Sequence, residues 1–465
     1  MSFPRYPEYK DSGVAWLGEV PSHWTICGTG HRLQSPPCYG VLVPDFDPDG
    51  VPMLKIMDLA NGTPDRSALA TISERLSDEF QRTIVRRGDV VLSVVGTIGT
   101  ALVIPEALDG INLSRALARL LPNVDLLPQW LVWVFSSDNF TRFVDLVCVG
   151  SAQRVLNMDD LRSFRAPFPP IEEQTAIATF LDRETAKIDA LVAEQEKLIA
   201  LLQEKRQAVI SHAVTKGLDP NVPMKDSGVE WLGEVPGHWE VCALRRVIAA
   251  IEQGWSPECY AREAEEQEWG VLKAGCLNGG NFRPSENKAL PPELPPEEAY
   301  EVRVGDVLMS RASGSPELVG STALVKATRE RLMLSDKIFR LKLKEFVNAA
   351  FFVAALNSRP LRIQIENALS GGNGMANNLP QSSLLTFAMA VPPLAEQATI
   401  TVFLEQETAK LDTLTAEARS AITLLQERRT ALISAAVTGQ IDVRGLAGSA
   451  NAPDSVAASA YPASA

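Results

Sequence analysis

PPIEEQTAIATFLDRETAKIDAL at residues 169–191 and PPLAEQATITVFLEQETAKLDTL at residues 392–414 decide how this 465-residue chain is read. The two stretches share Pro-Pro, Glu-Gln and Glu-Thr-Ala-Lys at an offset of 223 residues. Proline is tolerated only near the first turn of a helix, so each pair marks a helix start. No Gly or Pro then occurs in 171–213 or in 394–436. Spacings alternating between 4 and 3 pick out Ile177, Leu181, Glu184, Ile188, Leu191, Gln195, Leu198, Leu202, Lys205 and Val209 in the first copy. In the second they pick out Ile400, Leu404, Glu407, Leu411, Leu414, Ala418, Ala421, Leu425, Arg428 and Leu432. Such a heptad seam predicts two helices of about 60–65 Å that pair as an antiparallel coiled coil. Antiparallel pairing brings Glu184 and Glu407 toward the basic residue at the far end of the other helix, offsetting their desolvation. The residues expected to carry the packing are Ile177, Leu181, Ile188, Leu191 and Leu202, with Ile400, Leu404, Leu411, Leu414 and Leu425.

Working outward, a second repeat appears. KDSGVAWLGEVPSHW at 10–24 returns as KDSGVEWLGEVPGHW at 225–239, identical at 13 of 15 positions. Between these anchors the likeness almost vanishes, apart from Leu54-Lys55 against Leu272-Lys273 and Gly88-Asp89-Val90 against Gly305-Asp306-Val307. The chain is a tandem duplication, two similar frames around two divergent inserts. Its segments are a repeat element at 1–24, an insert at 25–168, a helical spacer at 169–216, a linker and repeat element at 217–239, a second insert at 240–391, a second spacer at 392–440, and a tail at 441–465. The tail is small and polar, and disorder is expected there. Within the inserts, IVRRGDVVLSVVGTIGTALVI at 84–104 and VRVGDVLMSRASGSPELVGSTALV at 302–325 read as paired β-prone runs split by Gly-containing loops. The fold class is α+β, with two β-rich domains and two long helices in pseudo-twofold relation.

Composition narrows the function. No run of 18 apolar residues is present, so no membrane-spanning helix is expected, and the first residues lack the apolar stretch of a secretory signal. The six cysteines include no CxxC pair, which points to reduced thiols and a cytoplasmic protein rather than a zinc site or a disulfide framework. There is no GxxxxGK[ST], HExxH or GxSxG motif. Asp65 and Glu74 only faintly suggest a nuclease carboxylate set. His23 and His238, which match across the repeat beside Trp24 and Trp239, read as structural, as do Cys27 and Cys242. No catalytic residue, bound cofactor or metal site is expected in the chain.

A net charge of −13 speaks against a nucleic-acid binder as a whole, but phosphate is met by local patches. Residues 252–300 carry ten acids against four bases, and residues 301–345 nine bases against six acids. Alternation in KIFRLKLK at 337–344 puts Arg340, Lys342 and Lys344 on one strand face, either toward phosphates or as a solvated, edge-protecting face. Further candidates are Arg86 and Arg87 in the first insert and Arg311 in the second. The polar loops before each long helix add Gln153, Arg154, Asn157, Asn377 and Asn378. Asn and Gln pair bidentately with adenine, and Arg with guanine, in the major groove.

The assembled pattern resembles the specificity subunit of type I restriction-modification enzymes. The residues that carry it are WLGEVPSHW at 16–24, GDVVLSVVGTIG at 88–99 and PPIEEQTAIATFLD at 169–182, with their second copies. The resemblance implies two target-recognition domains, each reading one half of a bipartite, asymmetric site in double-stranded DNA. It also implies helical spacers that hold the domains apart and dock two modification (methyltransferase) subunits, with restriction subunits joining them. S-adenosylmethionine, ATP and Mg2+ then belong to those partners, and the chain itself is non-catalytic. Two readings stand beside it, a DNA-independent coiled-coil scaffold and a self-sufficient metal-dependent nuclease.

Overall fold

The computed structural model describes residues 3–59, 62–148, 154–370 and 377–446. Two compact units divide it, one made of 1–195 with 420–465 and the other of 196–419. Each is a mixture of short strands, short helices and part of the two long helices, Ile171–Lys216 and Leu394–Val437.

In the first unit the GDVV stretch forms the strand Val90–Ser93, fully buried, at the centre of a four-stranded sheet. Its order is Cys38–Tyr39, Leu117–Leu120, Val90–Ser93, Ala101–Val103, all antiparallel. A three-stranded sheet sets Phe46–Leu54 between Thr71–Ile72 and Asn112–Leu113, the last pairing parallel. The second unit repeats the plan. The order Ile248–Gln253, Ile338–Leu343, Val307–Ser310, Thr322–Leu324 is again antiparallel, and Gly270–Leu272 lies between Asn287–Ala289 and a parallel Leu332–Met333. Ser93 pairs with Leu117 as Ser310 pairs with Ile338, so the inserts share a register where their sequences share almost nothing. Buried Asp89 and partly buried Asp306 explain the surviving Gly-Asp-Val. Each accepts a backbone N–H three residues upstream, from Arg86 at 2.8 Å and Arg303 at 3.0 Å. Each also meets a strand arginine, Arg119 at 2.6 Å and Arg340 at 3.4 Å.

The repeat frames are equally interpretable. Glu173 accepts from the Trp24 indole at 3.0 Å, pairs with His23 at 2.7 Å and accepts from the Tyr6 hydroxyl at 3.3 Å. Glu396 takes Trp239 at 3.1 Å and His238 at 2.8 Å. The neighbouring glutamines are buried. Gln174 accepts the Leu127 N–H at 2.8 Å and donates to the Asp125 and Pro169 carbonyls. Gln397 accepts the Asn348 N–H at 2.7 Å and donates to the Phe346 and Pro392 carbonyls. The Glu-Gln of each helix start thus binds its own frame with one residue and its insert with the next.

Within the first unit, Ile177, Leu181 and Ile188 share a core with Leu432, Ile433, Ala436 and Val437. Within the second, Ile210, Ala213 and Val214 share one with Ile400 and Leu404. In both, the start of one long helix lies against the end of the other. The seam differs from the one read from sequence. Leu191 and Leu414 are exposed, at 45% and 47%, and so are Lys205 and Arg428. The inward residues are Thr185, Val192, Ile199 and Arg206, with Thr408, Thr415, Ile422 and Arg429 in the second helix. A 4-3 alternation has two phases through the same leucines. The apolar count ties the two phases in the first helix and favours the one through Leu414 only by eight to seven in the second, whereas packing uses the phase in which threonine and arginine turn inward. Arginine can occupy such a position because it reaches a carboxylate on the other helix. Arg429 binds Asp189 at 2.9 Å in the first unit, and Arg206 lies 3.4 Å from Asp412 in the second. Glu184 and Glu407 instead bind Lys187 and Lys410 one turn along their own helices.

The tail begins later than its composition suggests. Val443 is fully buried, the Asp442 N–H donates to the Pro4 carbonyl at 2.7 Å, and the Arg444 guanidinium sits 4.7 Å over the Tyr6 ring. Small polar residues flank this segment, but Ile441, Val443 and Leu446 supply the apolar contacts that fix it against the first unit. The rest of the tail, 447–465, lies outside the described residues.

Candidate nucleic-acid interface

The strand alternation in 337–344 places Arg340 correctly on a face but not in solvent. Ile338–Leu343 is the second strand of its sheet, paired on both sides, and the Arg340 side chain is 6% exposed. Its Nε lies 3.4 Å from both the Glu252 and the Asp306 carboxylates, and Nη2 donates to the Glu301 carbonyl at 2.9 Å. Arg340 is therefore a buried structural cation, not a phosphate contact. Lys342 leans on the same carboxylate, 3.5 Å from Asp306, while Lys344 is exposed. Alternation gives the face of a strand, and Asp306 and Glu301, distant in sequence, decide what covers it.

Arg86 and Arg87 are exposed on the turn before Val90–Ser93, paired with Asp109 at 3.3 Å and Glu106 at 2.9 Å. These ion pairs are solvent-screened and leave both guanidinium groups accessible. Asn157 is exposed ahead of the helix Met158–Ser163, its amide donating to Asp160 at 3.3 Å. Gln153 lies outside the described residues.

The remaining candidates gather at one address in each unit. Residues 94–96, just past Val90–Ser93, are flanked on one side by Ala116, whose carbonyl accepts the Val94 N–H at 2.9 Å. On the other side, the Arg154 carbonyl accepts from Gly96 at 2.9 Å and the Leu156 N–H donates to Val94 at 2.8 Å. In the second unit Arg311 takes the place of Val94. Its N–H donates to the Lys337 carbonyl at 2.8 Å, and its carbonyl accepts from Leu379 at 2.9 Å. Ala312–Ser313 then pairs with Asn377–Asn378. Three segments distant in sequence thus meet in the same way twice.

What they present differs. The first unit offers exposed Arg115 and Arg154, the latter paired with Asp145 at 2.5 Å. The second offers Arg311, Lys337, Asn377 and Asn378, and Asp336 accepts from Lys337 at 2.9 Å and Ser256 at 2.5 Å. The Asp336 backbone carbonyl takes the Gln253 amide at 3.1 Å and the Arg311 guanidinium at 3.3 Å. Burial pushes the Asp336 carboxyl up, but the Lys337 and Ser256 hydrogen bonds and the charges of Lys337 and Arg311 hold it below the usual carboxylate range. Sequence reading missed Arg115, Lys337 and Gln253. They precede or end strands, and only the strand order brings them beside the polar loops. Among the described residues no group of three or more His, Cys, Asp or Glu is placed to hold a metal ion. Among the same residues no helix is long and apolar enough to cross a membrane.

Comparison with known proteins agrees with this organisation. Residues 45–200 match the type I restriction modification DNA specificity domain. The chain is similar to the EcoEI type I restriction enzyme specificity subunit of Escherichia coli, 31% identical over 227 residues covering 48% of this chain and 38% of that one. It resembles the EcoBI specificity subunit of Escherichia coli at 29% identity over 42% of each chain. These two matches span about two fifths of the relatives' length. A fainter match to the EcoKI specificity subunit of Escherichia coli K12, 20% identical, covers 91% of this chain and 90% of that one. A solved structure concerning complex assembly and conformational transition of the type I R-M system shares the fold at a TM-score of 0.67 and 15% identity, covering 90% of this chain and 98% of that one. The matched domain over residues 45–200, the relatives and the duplicated plan support a similarity to the specificity subunits of type I restriction-modification systems.

Proposed function

We propose that each insert reads one half of a bipartite, asymmetric site in double-stranded DNA, and that the chain supplies specificity to partners that carry the chemistry. The observation that carries this reading is the doubled address, where one strand order displays two unlike sets of side chains. Arginines suit guanine edges and an Asn pair suits adenine edges, so the two halves of the site differ. The long helices act as an antiparallel coiled-coil spacer. Leu191 and Leu424 in the first unit, and Leu198, Leu201 and Leu414 in the second, are exposed on the long helices and offer apolar surface for docking two modification subunits. The modification subunits bring S-adenosylmethionine, and the restriction subunits bring ATP and Mg2+.

The test is an exchange of residues 25–168 for the insert of another specificity subunit, with the methylated sites sequenced in cells that carry the partner methyltransferase. One half of the motif changes and the other stays. A change in both halves overturns the assignment of one insert to each half-site. Absence of any methylated motif or gel-shift with partners present returns the chain to a scaffold role.

A further inference from the structure

The two units differ at one internal place that DNA reading does not explain. In the first unit the helix Pro128–Phe135 faces the first long helix with Gln129 and Trp133. Both donate to one carboxylate oxygen of Asp182, the amide at 3.2 Å and the indole N–H at 3.1 Å. Trp133 is 6% exposed, so its ring fills the space between the two helices.

The corresponding helix of the second unit is Ala349–Leu356. Its register is fixed by contacts already described. Asn348 meets Gln397 as Leu127 meets Gln174, and buried Ser358 bonds to the Ala355 carbonyl as Ser137 bonds to Val134. Ala350 therefore stands for Gln129, Ala354 for Trp133, and Glu405 for Asp182. Where the indole and amide sit in the first unit, the second opens into part of a groove of about 1050 Å³. Val353, Ala354 and Leu404 line it with Phe282, and Glu405 stands at its edge holding Lys326 at 2.8 Å. A gap left by small side chains forfeits packing contacts and is normally closed by collapse or by larger side chains. This one is open to solvent and keeps the carboxylate acceptor. Its volume lies just above the range of small-ligand sites, about 300–1,000 Å³.

We propose that this cavity is a binding site for a planar aromatic ring carrying an N–H donor, of the indole type. The ring occupies the space that Trp133 fills in the first unit and donates to Glu405, which exchanges its exposed lysine partner for the ring N–H. The proposal is independent of the DNA reading, since none of Arg311, Asp336, Lys337, Asn377 and Asn378 lines the cavity.

The experiment uses the full chain and ligand-observed saturation-transfer NMR with calorimetry. Indole binds saturably, and N-methylindole, which lacks the donor, binds at least about tenfold more weakly, as expected for loss of a hydrogen bond to a charged group. Ala354→Trp fills the site and lowers indole binding at least about tenfold. Ala354→Leu, a smaller change, gives the same direction should the first variant fold poorly. N-acetyltryptophanamide distinguishes the source. If it competes with indole, the site takes a tryptophan side chain from a polypeptide, and if only the bare ring binds, it takes a free small molecule. Absence of saturable binding by any of these rings overturns the proposal, as does equal binding of indole by the wild type and both Ala354 variants. Equal affinity for indole and N-methylindole also overturns it, by removing Glu405 from the site.

Discussion

Replacing Arg340 with methionine separates a buried structural cation from a DNA contact. Methionine keeps most of the aliphatic volume and removes the charge. Asp306, with a side chain 10% exposed, then loses one cation and keeps the Arg303 N–H at 3.0 Å and Lys342 at 3.5 Å. Glu252 is 40% exposed and rehydrates at little cost. Removing one partner of a buried pair costs about 3–5 kcal/mol, and these compensations put Arg340→Met near the lower figure, about 3 kcal/mol. A domain holds only about 5–15 kcal/mol in total, so the loss is large. With two units a single unfolding midpoint is ambiguous. Amide exchange in Val307–Ser310, read by mass spectrometry, reports the second unit alone and should quicken by about a hundredfold. The salt dependence of DNA binding by the assembled complex provides the other half of the test. A phosphate contact contributes about 0.9 to the slope of log K against log salt. Arg340→Met leaves that slope unchanged, whereas Lys337→Ala reduces it. Unchanged exchange together with a slope lowered by about 0.9 would refute the structural assignment of Arg340.

Other outcomes follow from the same geometry. Gln397→Met removes the hydrogen bonds to Asn348, Phe346 and Pro392 and strands the Asn348 N–H. That costs the second unit about 2–4 kcal/mol, whereas Gln174→Met does the same to the first; exchange protection in the opposite unit should not change. Ile188→Ala and Leu411→Ala each cost about 2–4 kcal/mol, while Leu191→Ala and Leu414→Ala stay within about 0.5–1 kcal/mol; equal losses in thermal melts would restore the seam through the exposed leucines. Asp442 is held below its ordinary pKa by hydrogen bonds and charge from Arg444, against a desolvation that raises it. A depressed carboxylate stabilises the fold above its unfolded pKa of about 3.9 and loses that contribution as pH falls through its lower folded value. Asp442→Asn should therefore weaken the first unit at neutral pH, with the difference from wild type vanishing in strong acid, as denaturant melts across pH will show.

The sequence was most legible where the duplication left two copies to compare. The helix starts, the Trp and His of the frame and the Gly-Asp-Val turns all had repeat partners, and all proved to be hydrogen-bonding positions with fixed geometry. Periodicity was weaker wherever two phases shared residues. Ile188 lies in both phases, so its place on the helix cannot choose between Leu191 and Val192 as the next inward residue. Arg340, Arg115 and Lys337 were illegible for a different reason. What covers or exposes them comes from strands far away in sequence, and neither charge nor alternation carries that information.

The glutamines at the two helix starts have an evolutionary consequence. Toward the inserts, Gln174 and Gln397 grip only main-chain atoms, the N–H groups of Leu127 and Asn348 and the carbonyls of Asp125 and Phe346. A socket that holds backbone makes no demand on the side chains plugged into it. Whole cassettes can then be traded or rewritten between generations while the joint keeps its shape.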